Sequence, residues 1–248
     1  MWVNALILFF SGFTGGILFI LYPGIRKKKF DFILVFSGAY LLSITILHIL
    51  PEVYAQYDQP FKIGTWILAG FLLQMILGSI SSGIEHGHSH QHGQIHLQGL
   101  SAAPLVLLIG LGIHSFLEGT IVAHPVKSAI HNHSGGILMG IVLHKFPAAI
   151  ALMSVFFHQK QKVSLALIYL IIFCLASPLG LIVTSYIGKT SILSVSEMAM
   201  LYALVSGSFL HISTTIFFES NPHHQLGGWR LFWIFLGALL AFMIEVFL

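Results

Sequence analysis

Four ionisable residues stand inside long apolar stretches of the chain: His114, Glu118, His144 and Lys145. A charge in such surroundings loses several kcal/mol of hydration unless it is paired or wetted, so residues of this kind usually carry function. His114 and Glu118 are four apart, which on a helix places them on one face about 6 Å from each other along the axis. An imidazole and a carboxylate in that relation can share one ion. His144 belongs to the next apolar stretch, which runs the opposite way. Nine residues separate it from the start of its stretch at Gly135, and nine separate His114 from the end of its own at Ala123. The depths therefore match to about one turn, and three nitrogen and oxygen donors from two neighbouring helices suit zinc, with Fe2+, Mn2+, Co2+ and Cd2+ as related guests. A single histidine would more often be a bundle-interior residue bonded to a neighbouring helix. The pairing of a His-xxx-Glu face with a depth-matched His-Lys favours a metal or proton site.

The elements that must position these residues are apolar runs of membrane-spanning length, about 17 to 25 residues each. They fall at 2–21, 32–50, 63–83, 100–123, 135–157, 163–187, 196–218 and 229–248. Hydrophobic residues make up 56% of the sequence and charged residues 8%, far below the quarter typical of soluble domains. The expected fold is all-α: a polytopic bundle of eight transmembrane helices forming one domain over residues 1–248. The formal charge of +3 is spread between apolar blocks and makes no basic stripe, so nucleic acid is not an expected partner. The lone Cys174 allows no disulfide framework and no cysteine-based metal site within one chain. The first apolar run lacks a preceding basic region and a small-residue cleavage site, and reads as a retained helix.

Short-loop cations set the orientation. Arg26, Lys27, Lys28, Lys29, Lys160, Lys162 and Arg230 follow helices one, five and seven, whereas only Lys62, Lys127 and Lys189 lie on the other side. Both termini are therefore expected outside, with the loop at 85–98 in the cytoplasm. Ser37-Gly38-Ala39-Tyr40-Leu41 in helix two and Ser206-Gly207-Ser208-Phe209-Leu210 in helix seven are followed at one offset by Thr45 and Thr214. Five helices separate the copies, so they would run in opposite senses, as in the inverted repeats of transporters; chance recurrence explains so short a match equally well. Gly110, Gly112, Gly119 and Gly140 would let helices four and five approach closely. Pro147 and Pro178 each remove a backbone donor from a helix interior, and Pro51 is expected to fray the end of helix two.

Taken together, His114-Ser115-Phe116-Leu117-Glu118-Gly119 and His144-Lys145-Phe146-Pro147-Ala148 resemble the paired fourth- and fifth-helix signatures of the ZIP (Zrt/Irt-like) metal transporters. His48-Ile49-Leu50-Pro51-Glu52, Ser177-Pro178-Leu179-Gly180 and the His-rich loop add to the resemblance. It implies eight helices with both termini outside, uptake of zinc or a related divalent ion toward the cytoplasm, and an intramembrane metal site on helices four and five. Many members of that family carry acidic residues on helices five and six that build a second metal position. Here Lys145, Ala148 and Ser177 stand in those places. An ammonium cannot ligate a metal and Ala148 has no donor, so one ion is expected, with Lys145 filling the second position as a built-in cation beside Glu118.

The remaining histidines are less specific. His86, His88, His90, His92 and His96 alternate with small polar residues, a composition that binds metal weakly without folding or serves as a polar connector. His124, His131 and His133 flank the connection between helices four and five. Ser115, His48, Glu52, Ser177 and His211, the last with Thr214 and Thr215 beside it, are candidate pathway residues. The metal is expected as transported substrate rather than cofactor, the bilayer as the other partner, and a homodimer is compatible; a plasma (inner) membrane is the expected location. Catalysis is not expected: a membrane-embedded zinc hydrolase is the alternative, but it would need a general base at a water-open metal, and the chain has no His-Glu-xx-His helix.

Overall fold

A computed structural model describes residues 1–22, 31–80, 102–123, 134–159, 161–219 and 227–247. Those residues are almost wholly helical, because a backbone in hydrocarbon must satisfy its own hydrogen bonds. Eight spanning helices are formed: α1 (Trp2–Leu21), α2 (Asp31–Ile44, continuing through Thr45–Ile49 and Leu50–Gln56), α3 (Pro60–Ile80), α4 (Ala102–Val122), α5 (Ser134–His158), α6 (Val163–Thr190), α7 (Val195–Glu219) and α8 (Gly228–Phe247). All eight are long and apolar enough to cross a membrane, and the chain is an integral, multi-pass membrane protein. Large apolar side chains such as Leu6, Phe61, Leu72, Ile109 and Phe235 face outward, as a lipid-facing surface requires.

Helix α2 departs from expectation at its end. Pro51 does not fray it: the helix widens into one π turn at Thr45–Ile49, in which Leu50 N–H bonds to Thr45 O, and then continues to Gln56. The wider turn lets the chain pass its proline without stopping, and such π turns are frequent at functional sites. Pro147 and Pro178 likewise sit inside unbroken helices.

The packing has an exchange symmetry. α3 lies chiefly on α7 and α8 on α2; α4 lies chiefly on α6 and α5 on α1. Swapping α1 with α6, α2 with α7, α3 with α8 and α4 with α5 maps this arrangement onto itself, which is the pattern of an inverted repeat. Single contacts obey the same exchange. Gly180 of α6 meets the Phe116 carbonyl of α4, and Gly15 of α1 meets the Phe146 carbonyl of α5. Phe116 and Phe146 hold the same place in the two motifs, so His114 corresponds to His144, Ser115 to Lys145 and Glu118 to Ala148.

Glycine makes these seams possible because any Cβ would collide with a backbone carbonyl. The partners differ from those expected. Gly119 meets the Ser177 carbonyl of α6 rather than α5, Gly140 meets the Tyr40 ring of α2, and Gly112 has nothing near it. Thus α4 is seated on α6 at backbone distance, which carries Ser177 to the side of Glu118.

Candidate metal centre

The buried face of α4 presents His114, Ser115 and Glu118, with residue exposures of 2%, 0% and 1%. From α5 come His144 and Lys145, and from α6 comes Ser177, all buried as well. His114 Nε2 lies 3.0 Å from Glu118 Oε1, near the separation of about 3.3 Å that two tetrahedral zinc ligands require. The His144 ring stands edge-on to that of His114, with centroids 5.8 Å apart. One donor atom from each of His114, Glu118 and His144 falls within 4.8 Å of the others, and this is the one such group of three among the described residues. Both ring nitrogens of His114 and Nδ1 of His144 are buried without hydrogen-bond partners; the close His114–Glu118 approach lacks the alignment of a hydrogen bond. Buried acceptors are costly unless something satisfies them, and a shared cation would do so.

The two oxygens of Glu118 serve different neighbours. Oε1 faces His114, whereas Oε2 lies 3.4 Å from Lys145 Nζ and 3.5 Å from Ser177 Oγ. Lys145 donates to Ser115 Oγ at 2.8 Å and to Ser177 Oγ at 2.6 Å, and its ammonium sits 4.5 Å over the Phe173 ring. Ser177 in turn donates to the Ser115 carbonyl at 2.6 Å. The Lys145 ammonium therefore has oxygen partners in the interior, which a buried ammonium needs. Its stem passes Gly12 of α1 at van der Waals distance, since a Cβ there would stand 3.5 Å from Lys145 Cε.

Thus His114, Glu118, His144 and Lys145 come together, and of the candidate pathway residues Ser115 and Ser177 lie beside them. His211 does not join them: it packs on Phe71 of α3, with ring centroids 4.9 Å apart, and its Nδ1 is 3.5 Å from Thr215 Oγ1. His48 and Glu52 also stand apart: His48 pairs with Glu52 and with Glu245 of α8. Glu245 was missed by the reading of spacing, although a lone carboxylate within an apolar helix is a signal in itself. His86, His88, His90, His92 and His96, like His124, His131 and His133, lie outside the described residues.

Comparison with known proteins places the chain in a lineage. The chain is 26% identical over 159 residues to Zinc transporter ZIP9-B of Xenopus laevis, an alignment covering 61% of this chain and 50% of that protein. It is 31% identical over 150 residues to Protein zntD of Dictyostelium discoideum, covering 58% of this chain and 22% of the other. With Zinc transporter ZIP1 of Danio rerio it shares 22% identity over 240 residues, covering 80% and 78% of the two. The chain thus spans about half the length of the ZIP9 relative. The family model described as ZIP Zinc transporter matches residues 79–245, a stretch that holds both histidine motifs and Ser177, and the chain belongs to the ZIP family.

Proposed function

We propose that the chain carries divalent transition-metal ions, zinc foremost, across a membrane toward the cytoplasm, one ion at a time, through a site made by His114, Glu118 and His144. The observation that carries this reading is the division of labour at Glu118. One oxygen shares space with the His114 nitrogen that could ligate a metal, while the other is taken by Lys145 and Ser177. Lys145 then acts as a tethered second cation where relatives with acidic residues would hold a second metal. It offsets the carboxylate without competing for the ligand side. Nitrogen and oxygen donors of this kind suit zinc and accept Fe2+, Mn2+, Co2+ or Cd2+.

Relatives named zinc transporters support transport over the hydrolase alternative. A hydrolase would also ask for a carboxylate free to act as base at a water-open metal, and Glu118, the one carboxylate in this group of donors, is itself a ligand in this reading. The orientation, with both termini outside in a plasma (inner) membrane, rests on the loop cations. Ser115 and Ser177 hold Lys145 in place, and the His-rich loop at 85–98 buffers or senses metal on the cytoplasmic side. Radiometal uptake into sealed vesicles tests the reading: Glu118→Ala should abolish most uptake at matched membrane expression. Near-normal uptake by that variant would remove the assignment.

A further inference from the structure

The exchange of helices that maps the packing onto itself is broken in one place. Apart from α1, α5 lies mainly on α2, whereas the counterpart contact, α4 on α7, is much the looser of the two. Repeats of like packing can trade conformations, and rocking of this kind is how inverted-repeat carriers alternate access. The present arrangement therefore has an opposite, in which α4 closes on α7 and α5 loosens from α2.

One side chain keys the tight contact. Tyr40 of α2 is fully buried, and its hydroxyl donates to the Gly136 carbonyl in the first turn of α5 at 2.9 Å. Its ring lies along Gly140, where an added Cβ would stand 3.0 Å from Cε1 and 3.1 Å from Cδ1. Ile44 of α2 and Ile244 of α8 close on Gly136 beside it, 3.2 and 3.3 Å from a Cβ built there. Gly136, Gly140 and His144 follow one another at intervals of four, so they share one face of α5. Tyr40 thus grips the helix one and two turns from a central donor.

We infer that Tyr40 is a latch between α2 and α5, holding the present state by a hydrogen bond that the opposite state has no means to match. At the counterpart position α7 carries Phe209, as fully buried but without a hydroxyl. A shift of α5 along α2 by about 2 Å takes the two oxygens out of hydrogen-bond range. When α4 closes on α7 in exchange, Phe209 supplies a like ring and no donor. Gly136 O belongs to the helix ladder and has a second lone pair for the tyrosine, so release leaves the carbonyl satisfied. A buried hydrogen bond of this kind biases a two-state equilibrium about fivefold. That bias selects a resting state and still lets go within a cycle. Because His144 rides on the latched helix, the inference rests on the transport reading for its purpose.

Tyr40→Phe removes the hydroxyl and keeps the ring. Nitroxide labels at Ile46→Cys on α2 and Met139→Cys on α5, both outward-facing positions, in a Cys174→Ala background, would report the separation of the two helices. Double electron–electron resonance on the purified, metal-free full chain should give one dominant and one minor distance. Tyr40→Phe should raise the ratio of minor to dominant about fivefold. An unchanged ratio, or a single distance in both proteins, would overturn the inference, even if the variant melts earlier, and would leave the bond as packing alone. Radiometal uptake by the unlabelled protein judges the transport reading separately. A shifted ratio in a protein that carries no metal keeps the latch and removes the transporter; an unshifted ratio beside normal uptake does the reverse.

Discussion

Replacing Lys145 with methionine keeps most of the apolar stem, one atom short, and removes its charge. In the protein as it stands, the ammonium 3.4 Å from Glu118 Oε2 attracts that carboxylate with about 5 kcal/mol before desolvation, taking an effective dielectric of about 20. An ion ligated through Oε1 would stand about 5 Å from the same ammonium, where its two charges are repelled by about 7 kcal/mol on the same scale. Removing Lys145 therefore acts in opposite directions on the two states. The metal-free protein keeps a buried carboxylate with no counter-charge, a loss of about 3–5 kcal/mol, and its apparent melting temperature should fall. The metal-bound protein loses a repulsion, and even a net gain of about 1.4 kcal/mol, a fifth of the gross figure, tightens Kd tenfold. Thermal unfolding of Lys145→Met in detergent with and without Zn2+ should thus show a lower starting point and a larger rise on addition. Uptake should saturate at lower metal with a slower maximal rate, because an ion held more tightly leaves more slowly. Unchanged metal-free stability, or zinc binding no tighter than in the parent protein, would refute the argument.

Three further outcomes follow from the same geometry. Because Ala148 is the symmetry counterpart of Glu118, Lys145→Asp combined with Ala148→Glu should create a second oxygen cluster that binds two ions, counted by metal analysis of the purified protein; it should be less stable than the parent without metal. Gly119→Ala drives a methyl into the Ser177 carbonyl and should cost at least the 1–3 kcal/mol typical of overpacking, whereas Gly112→Ala, with nothing near it, should leave the apparent melting temperature unchanged. Deleting residues 86–96 should leave turnover largely intact and alter only the response to cytoplasmic metal, read as uptake before and after loading vesicles with zinc.

The spanning helices and central donors were legible in the sequence because both depend on short-range signals. Membrane helices announce themselves by length and hydropathy. His114 and Glu118 share a face by helical arithmetic alone, and His144 joined them through depth matching across one connection. Partners from distant helices were harder to read. Glycine signals close approach but not its partner, which is why Gly119 and Gly140 were assigned to the wrong neighbours. Glu245 reaches His48 across 197 positions, and no local periodicity records such a pairing. Pro51 was read by its missing donor, whereas the outcome depended on whether the preceding turn could widen. The short Ser-Gly match between α2 and α7 was ambiguous as a string of letters. The exchange of whole helix pairs, down to the carbonyls of Phe116 and Phe146, gave it meaning.

The glycine seams also bear on how an ion could leave. Where backbone touches backbone, as Gly180 does Phe116 and Gly15 does Phe146, there are no side-chain rotamers to rearrange, so each seam behaves as a bolted joint. Between α1 and α6 the contact runs through side chains instead, with Gly16 against Leu170 and Gly12 against Cys174 and Phe173, a surface that can slip. Ser115, Glu118 and Ser177 ride on one bolted pair, and His144 and Lys145 ride on the other. A slide of one pair past the other would draw an imidazole and an ammonium away from the same carboxylate in a single stroke. The coordination shell would then open by shear between two stiff bodies, with neither body changing its internal shape.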